Sequence, residues 1–173
     1  MAAGATYTPL ATTTASGSVN TITFSSISGS YTDLVIIANG YANYGFADRT
    51  SWFMRVGNGS TDTGNNYSQT GLYGNGTSAT SSRETNQSRC FVGVISEKNT
   101  TAIIQINNYA NTTTYKTYLS RGNSLGSSAT QDVAAVSGLW RSTSAINTIT
   151  LYTGDGTNYG STTTFTLYGI AAA

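Results

Sequence analysis

Histidine is absent from this 173-residue chain, cysteine occurs once, and charged side chains make up only 9% of positions. Each shortage narrows the chemistry. Catalysis near neutral pH most often draws on histidine or on clustered carboxylates, thiols and lysines. The seven acids here, Asp33, Asp48, Asp62, Glu84, Glu97, Asp132 and Asp155, are dispersed, and nothing marks two of them as a pair. A glycosidase would need two carboxyl groups roughly 5 to 9.5 Å apart. The chain therefore reads as no enzyme, with no cofactor and no metal. Cys90 stands just before the apolar run Phe91 to Ile95 and reads as a small buried hydrophobe, because a reactive thiol would want a histidine beside it.

Long apolar runs are also missing, and none approaches the ~20 residues of a membrane span. Met1 to Thr6 has no basic region followed by an apolar stretch, so the expectation is a soluble chain without an export signal. Net charge is +1, and several charges stand as adjacent opposites: Asp48 with Arg49, Arg83 with Glu84, Glu97 with Lys98. No Lys/Arg cluster supplies the basic stripe that nucleic-acid binding needs. A net charge near zero gives little mutual repulsion and favours association. The chain is expected to form a homo-oligomer or to join a larger assembly.

What is plentiful is Ser and Thr, 53 residues of the 173. The six Asn-x-Ser/Thr sequons, at Asn58, Asn66, Asn75, Asn86, Asn99 and Asn111, follow from that richness and carry little weight. Helix periodicity is missing, whereas strand signals are dense. Ile22 and Phe24 alternate with Thr21 and Thr23, and period-two runs recur at Trp52 to Val56 and Thr164 to Tyr168. Leu34 to Ile37 is continuously apolar and suits a strand buried on both faces. Further strands are expected over Tyr7 to Thr14, Phe91 to Ile95, Ala102 to Ile106, Thr114 to Leu119, Val133 to Leu139 and Asn147 to Tyr152. Between them, Asn39-Gly40, Asn58-Gly59, Asn75-Gly76 and Asp155-Gly156 favour the positive φ of tight turns. About nine strands at this spacing imply an all-β, antiparallel sandwich in a single domain, with a jelly roll as the leading topology. The domain should span 7–173, preceded by a flexible arm over 1–6.

Two stretches echo each other, Val19 to Phe24 and Ile146 to Leu151, marking either two strands in similar surroundings or common β vocabulary. Long connections are expected from Ala38 to Ser51 and from Tyr73 to Arg89. Polar, uncharged strands also suggest sheet edges without Lys gatekeepers, which partners would have to cover.

The candidate contact residues are aromatic or cationic. Tyr41, Tyr44 and Phe46 share one Gly- and Asn-rich loop, a composition suited to touching a partner. The competing reading folds Tyr41 or Phe46 back as a cap on the core. Tyr73 opens the second long connection, and Arg141 follows Trp140 in a pair favoured at interfaces. Trp140 and Trp52 are expected in the core. Asp62 to Ser68 superficially resembles an oxygen-rich cation loop, but with one carboxylate it reads as an Asx turn leading into a strand.

Particular strings then matter together: Gly64-Asn65-Asn66-Tyr67-Ser68, Tyr73-Gly74-Asn75-Gly76, Asn108-Tyr109-Ala110-Asn111-Thr112-Thr113, Tyr115-Lys116-Thr117, Gly138-Leu139-Trp140-Arg141-Ser142-Thr143 and Phe165-Thr166-Leu167-Tyr168-Gly169-Ile170. In this order the chain resembles a family of small virion proteins of tailed phages, cyanophages among them. The resemblance implies a jelly-roll capsid decoration, or cement, protein outside the major capsid shell, often a trimer, with the major capsid protein as partner. It implies neither catalysis nor contact with nucleic acid or membrane. The alternative is a receptor- or carbohydrate-binding module of a tail or fibre, with Tyr41, Tyr44, Tyr67 and Tyr73 stacking on sugars. Ice binding through Thr21/Thr23, Thr148/Thr150 and Thr164/Thr166 is disfavoured by their irregular separation.

Overall fold

The computed structural model describes residues 6–43, 49–126 and 131–171. Among the described residues thirteen strands follow one another: β1 (Tyr7–Thr14), β2 (Thr21–Phe24), β3 (Asp33–Gly40), β4 (Arg49–Asn58), β5 (Ser60–Thr61), β6 (Tyr67–Gly74), β7 (Ala79–Gln87), β8 (Cys90–Ser96), β9 (Thr100–Asn107), β10 (Lys116–Leu125), β11 (Gln131–Trp140), β12 (Thr148–Thr153) and β13 (Thr164–Ile170). They form two antiparallel sheets. The larger runs β1-β13-β3-β9-β10-β11-β6-β7, and the smaller runs β2-β12-β4 with both β5 and β8 paired to β4.

The connectivity is that of a jelly roll with two inserts. Taking β1-β13-β3-β9 as one four-stranded half and β2-β12-β4-β8 as the other, the chain passes between the halves in the order of two interleaved Greek keys. One insert, β5 to β7, lies between β4 and β8; the other, β10 to β11, lies between β9 and β12. Both widen the larger sheet on the same side, taking it from four strands to eight.

Alternation explains which side chains meet. On β2 the pattern puts Ile22 and Phe24 inside and Thr21 and Thr23 outside, and β9 and β13 repeat it over seven or eight residues each. The inward set forms one continuous core across both sheets. At its centre, the ring of Phe165 lies 5.8 Å from Trp52 and 4.9 Å from Tyr159. The indole N–H of Trp52 donates to the Tyr159 hydroxyl at 2.9 Å, satisfying two polar groups that are both buried. Gly138 on β11 leaves the space its missing Cβ would fill to the ring of Tyr118 on β10. The Tyr118 hydroxyl then reaches the Phe91 carbonyl and Gln69, tying the widened sheet to β8.

Several expectations change on contact with this fold. The span from Tyr73 to Arg89 is no long connection: Ala79–Gln87 is a strand, invisible to hydrophobic periodicity because eight of its nine residues are exposed. In Leu34 to Ile37, the first three side chains are buried, while Ile37 reaches the surface. Gly59, Gly76 and Gly156 adopt the expected positive φ. Gly40 does so as well, at φ 153°, and ends β3 packed against Thr163, whose side chain a Cβ would strike. The edges are also better guarded than the composition suggested. β1 carries Pro9 and a bulge between Pro9 and Ala11, and β7 carries Arg83 and Glu84 at mid-strand. The echo between Val19–Phe24 and Ile146–Leu151 has a spatial meaning: β2 and β12 are neighbours, with Thr23 and Thr150 joined through their hydroxyls at 2.9 Å.

Candidate functional site

Three of the five candidate contact residues lie among the described residues, and each has internal partners. Tyr41 is half-buried, its ring laid over Gly160 where a Cβ would collide with it. Its backbone is fixed by the Thr163 hydroxyl and by the Gly160 amide. Tyr73 points into the sandwich, with its ring 5.8 Å from Phe91 and its hydroxyl accepting from Ser82. Arg141 donates to Ser68, to the Asn65 carbonyl and to Asn86, clamping the end of β11 to the β6–β7 hairpin. Tyr44 and Phe46 lie outside the described residues. Tyr67, considered for stacking on sugars, is fully buried, and its hydroxyl meets the backbone of Val56 and Asp62.

The Asp62 loop is a polar knot. One carboxylate oxygen accepts from the Gly64 amide at 2.7 Å, and the other from Asn66 and from the Trp140 indole, each at 2.8 Å. Burial alone would raise the Asp62 pKa, but these hydrogen bonds outweigh it and hold the carboxyl below its ordinary value. A carboxylate so fully engaged by donors within the protein serves the turn, as the sequence suggested. Cys90 is buried, and burial pushes its thiol well above the usual range, so the thiolate that reacts is suppressed. Among the described residues no group of three or more His, Cys, Asp or Glu could hold a metal ion. A cleft of about 230 Å³ between the sheets is lined by Arg49, Tyr73, Val94 and Asp132, but its one carboxylate is paired with Arg49.

The feature that sequence reading missed is a surface. Ile37, Leu72, Leu119, Leu125 and Val133 are all exposed, Leu72 by 64% and Val133 by 60%, and all stand on the outer face of the larger sheet. Strand register lays them out as a path. Ile37 pairs with Ile103, and Ile103 is diagonal to Leu119. Leu119 is diagonal to Ala135, which pairs with Leu72, and Val133 follows one step along β11. Arg121 is the cation between Ile103 and Ala135. Each apolar residue alternates with inward ones, and the set is spread over β3, β6, β9, β10 and β11, so no linear stretch announced the face. Thr164 and Thr166 also lie on this face, whereas Thr21, Thr23 and Thr150 lie on the outer side of the other sheet.

No family model matches this chain, and no curated protein matches it. Among solved structures, it is similar to a double mutant of alginate lyase Aly36B in complex with an alginate tetrasaccharide, at 6% sequence identity and a TM-score of 0.30, over 88% of this chain and 81% of that one.

Proposed function

We propose that this chain is a structural component of a virion, a decoration protein that attaches to the exterior of the major capsid shell by binding alone. The observation that carries the reading is the set of exposed apolar side chains, Ile37, Leu72, Leu119, Leu125 and Val133, on the outer face of the eight-stranded sheet. Exposed apolar side chains gathered on one face mark sites of association. Eight strands spaced about 4.8 Å apart give a face roughly 34 Å across. That is broad enough to supply the ~800 Å² per partner of a standard protein interface. A sheet face is also stiff, so docking through it orders little that was free beforehand. The resemblance to phage decoration proteins supplies the partner, the major capsid protein, and a trimer as the attaching unit.

The test is co-pelleting with undecorated phage heads, preceded by size exclusion with light scattering to fix the oligomeric state. The wild type is expected to saturate the heads, and Leu72→Glu and Val133→Glu to remain in the supernatant while keeping the wild-type melting midpoint. Failure of the wild type to pellet, or full occupancy by both charged variants, overturns the reading.

A further inference from the structure

The outer face of the smaller sheet carries different chemistry. Register aligns Thr23, Thr150 and Arg55 in one row, and Thr21, Tyr152, Phe53 and Phe91 in the next. Arg89 directly precedes β8, and the pairing of Met54 with Cys90 sets it opposite Arg55. Both guanidiniums are seated on rings: Arg55 lies 5.0 Å from the centre of Tyr152, and Arg89 lies 4.2 Å from that of Phe53. The rings support one another, Phe53 being 5.8 Å from Tyr152 and 6.0 Å from Phe91. Arg55 is further oriented by donating its Nε–H to the Ser88 carbonyl at 2.9 Å.

This positioned pair has donors to spare. Among the described residues the ion pairs are Arg49 with Asp132 and Lys98 with Glu97, so neither Arg55 nor Arg89 has a carboxylate. The Nε of Arg89 and the hydroxyl of Tyr152 are both buried and without a hydrogen-bond partner. Two cations side by side repel each other, and planar guanidiniums held in place are suited to bidentate contact with a carboxylate.

We propose that this face binds a uronate-bearing glycan, with Arg55 and Arg89 engaging sugar carboxylates and the Thr23–Thr150 row meeting ring hydroxyls. The surroundings favour a sugar over an acidic peptide. A uronate carries its carboxylate fixed to a ring among hydroxyls, which matches guanidiniums flanked by a row of threonines on a flat sheet. The patch runs across strand faces from β2 to the residue before β8, and it presents side chains rather than unpaired backbone. It lies on the side of the sandwich away from the proposed docking face, so in the attached protein it would point outward. That orientation rests on the proposed function; the binding itself does not.

The experiment is calorimetric titration of the full chain with oligogalacturonate, with the fully methyl-esterified oligomer and polyglutamate as comparators. Oligogalacturonate is expected to bind with an affinity that falls as salt rises, and both comparators to bind at least about tenfold more weakly. Arg55→Gln and Arg89→Gln should each weaken binding by about tenfold, the loss expected for one charge-assisted hydrogen bond. Should either variant melt early, Arg55→Lys and Arg89→Lys keep the charge and test the planar contact. No binding of oligogalacturonate, equal binding of the ester, equal binding of polyglutamate, or indifference to all four substitutions overturns the proposal. The same variants pelleted with phage heads separate the two readings, because loss of glycan binding with full head occupancy concerns this face alone.

Discussion

The indole N–H of Trp140 donates to a carboxylate oxygen of Asp62 at 2.8 Å, joining the end of β11 to the turn that launches β6. The contact spans 78 positions of sequence and locks the inserted hairpin onto the widened sheet. Because donors hold Asp62 below its ordinary pKa of 3.8, the folded state releases this proton more readily than the unfolded chain does. The stabilisation is therefore complete above the unfolded value and is lost as pH falls through the folded one. Asp62→Asn is expected to cost about 1–3 kcal/mol at pH near 7. Urea unfolding of both proteins at neutral and strongly acidic pH checks this: the gap between them should narrow in acid, and a constant gap would show that charge is not what Asp62 contributes.

Trp52 makes a second prediction about the core. It is fully buried between Tyr159 and Phe165, so Trp52→Ala should lower stability by roughly 3–5 kcal/mol. Trp52→Phe keeps most of the packing but removes the donor to the Tyr159 hydroxyl, at a cost of about 1–3 kcal/mol. Chemical denaturation midpoints report both, and an unchanged midpoint for the alanine variant would contradict the burial.

Where the physics was local, the sequence was readable. Alternation at Ile22 and Phe24 and at Phe165 and Leu167 marked strands with one buried face, and the structure has them so. Cys90 and both tryptophans are buried, as their surroundings suggested. Features made by register were not readable. Leu72, Ala135, Leu119 and Ile103 come from four strands and become one surface only when those strands align. Arg55 and Arg89 share a site because of one pairing, Met54 with Cys90. β7 was missed for the opposite reason: an edge strand exposed on both faces has no hydrophobic rhythm to detect.

The edges of the larger sheet give a third prediction. β1 is guarded by Pro9, which offers no N–H, and β7 by Arg83 with Glu84. Glu84 also accepts from Gln69, so Arg83 is the cleaner residue to change. Pro9→Val combined with Arg83→Val should leave the melting midpoint nearly unchanged but produce concentration-dependent association in light scattering. A double variant with wild-type association would assign the protection to the bulges instead.

The buried phenols make the strongest claim about pH. Burial raises the pKa of Tyr67, Tyr118 and Tyr159 above the ordinary 10.0, outweighing the hydrogen bonds that Tyr67 and Tyr159 receive. In the unfolded chain these hydroxyls lose their protons near pH 10, whereas the folded protein keeps them. Above that pH the unfolded state binds fewer protons, so stability must fall as pH rises, by about 1.4 kcal/mol per unit for each group. Below pH 10 no such dependence arises from these residues. An alkaline titration followed by tyrosinate absorbance and by circular dichroism checks the sign. Tyr67, Tyr118 and Tyr159 should ionise only together with unfolding. Tyr118→Phe removes one of the three and should make the alkaline loss of stability less steep. If Tyr67, Tyr118 and Tyr159 ionise while the sheet signal persists, the core admits hydroxide and its packing is looser than this fold requires.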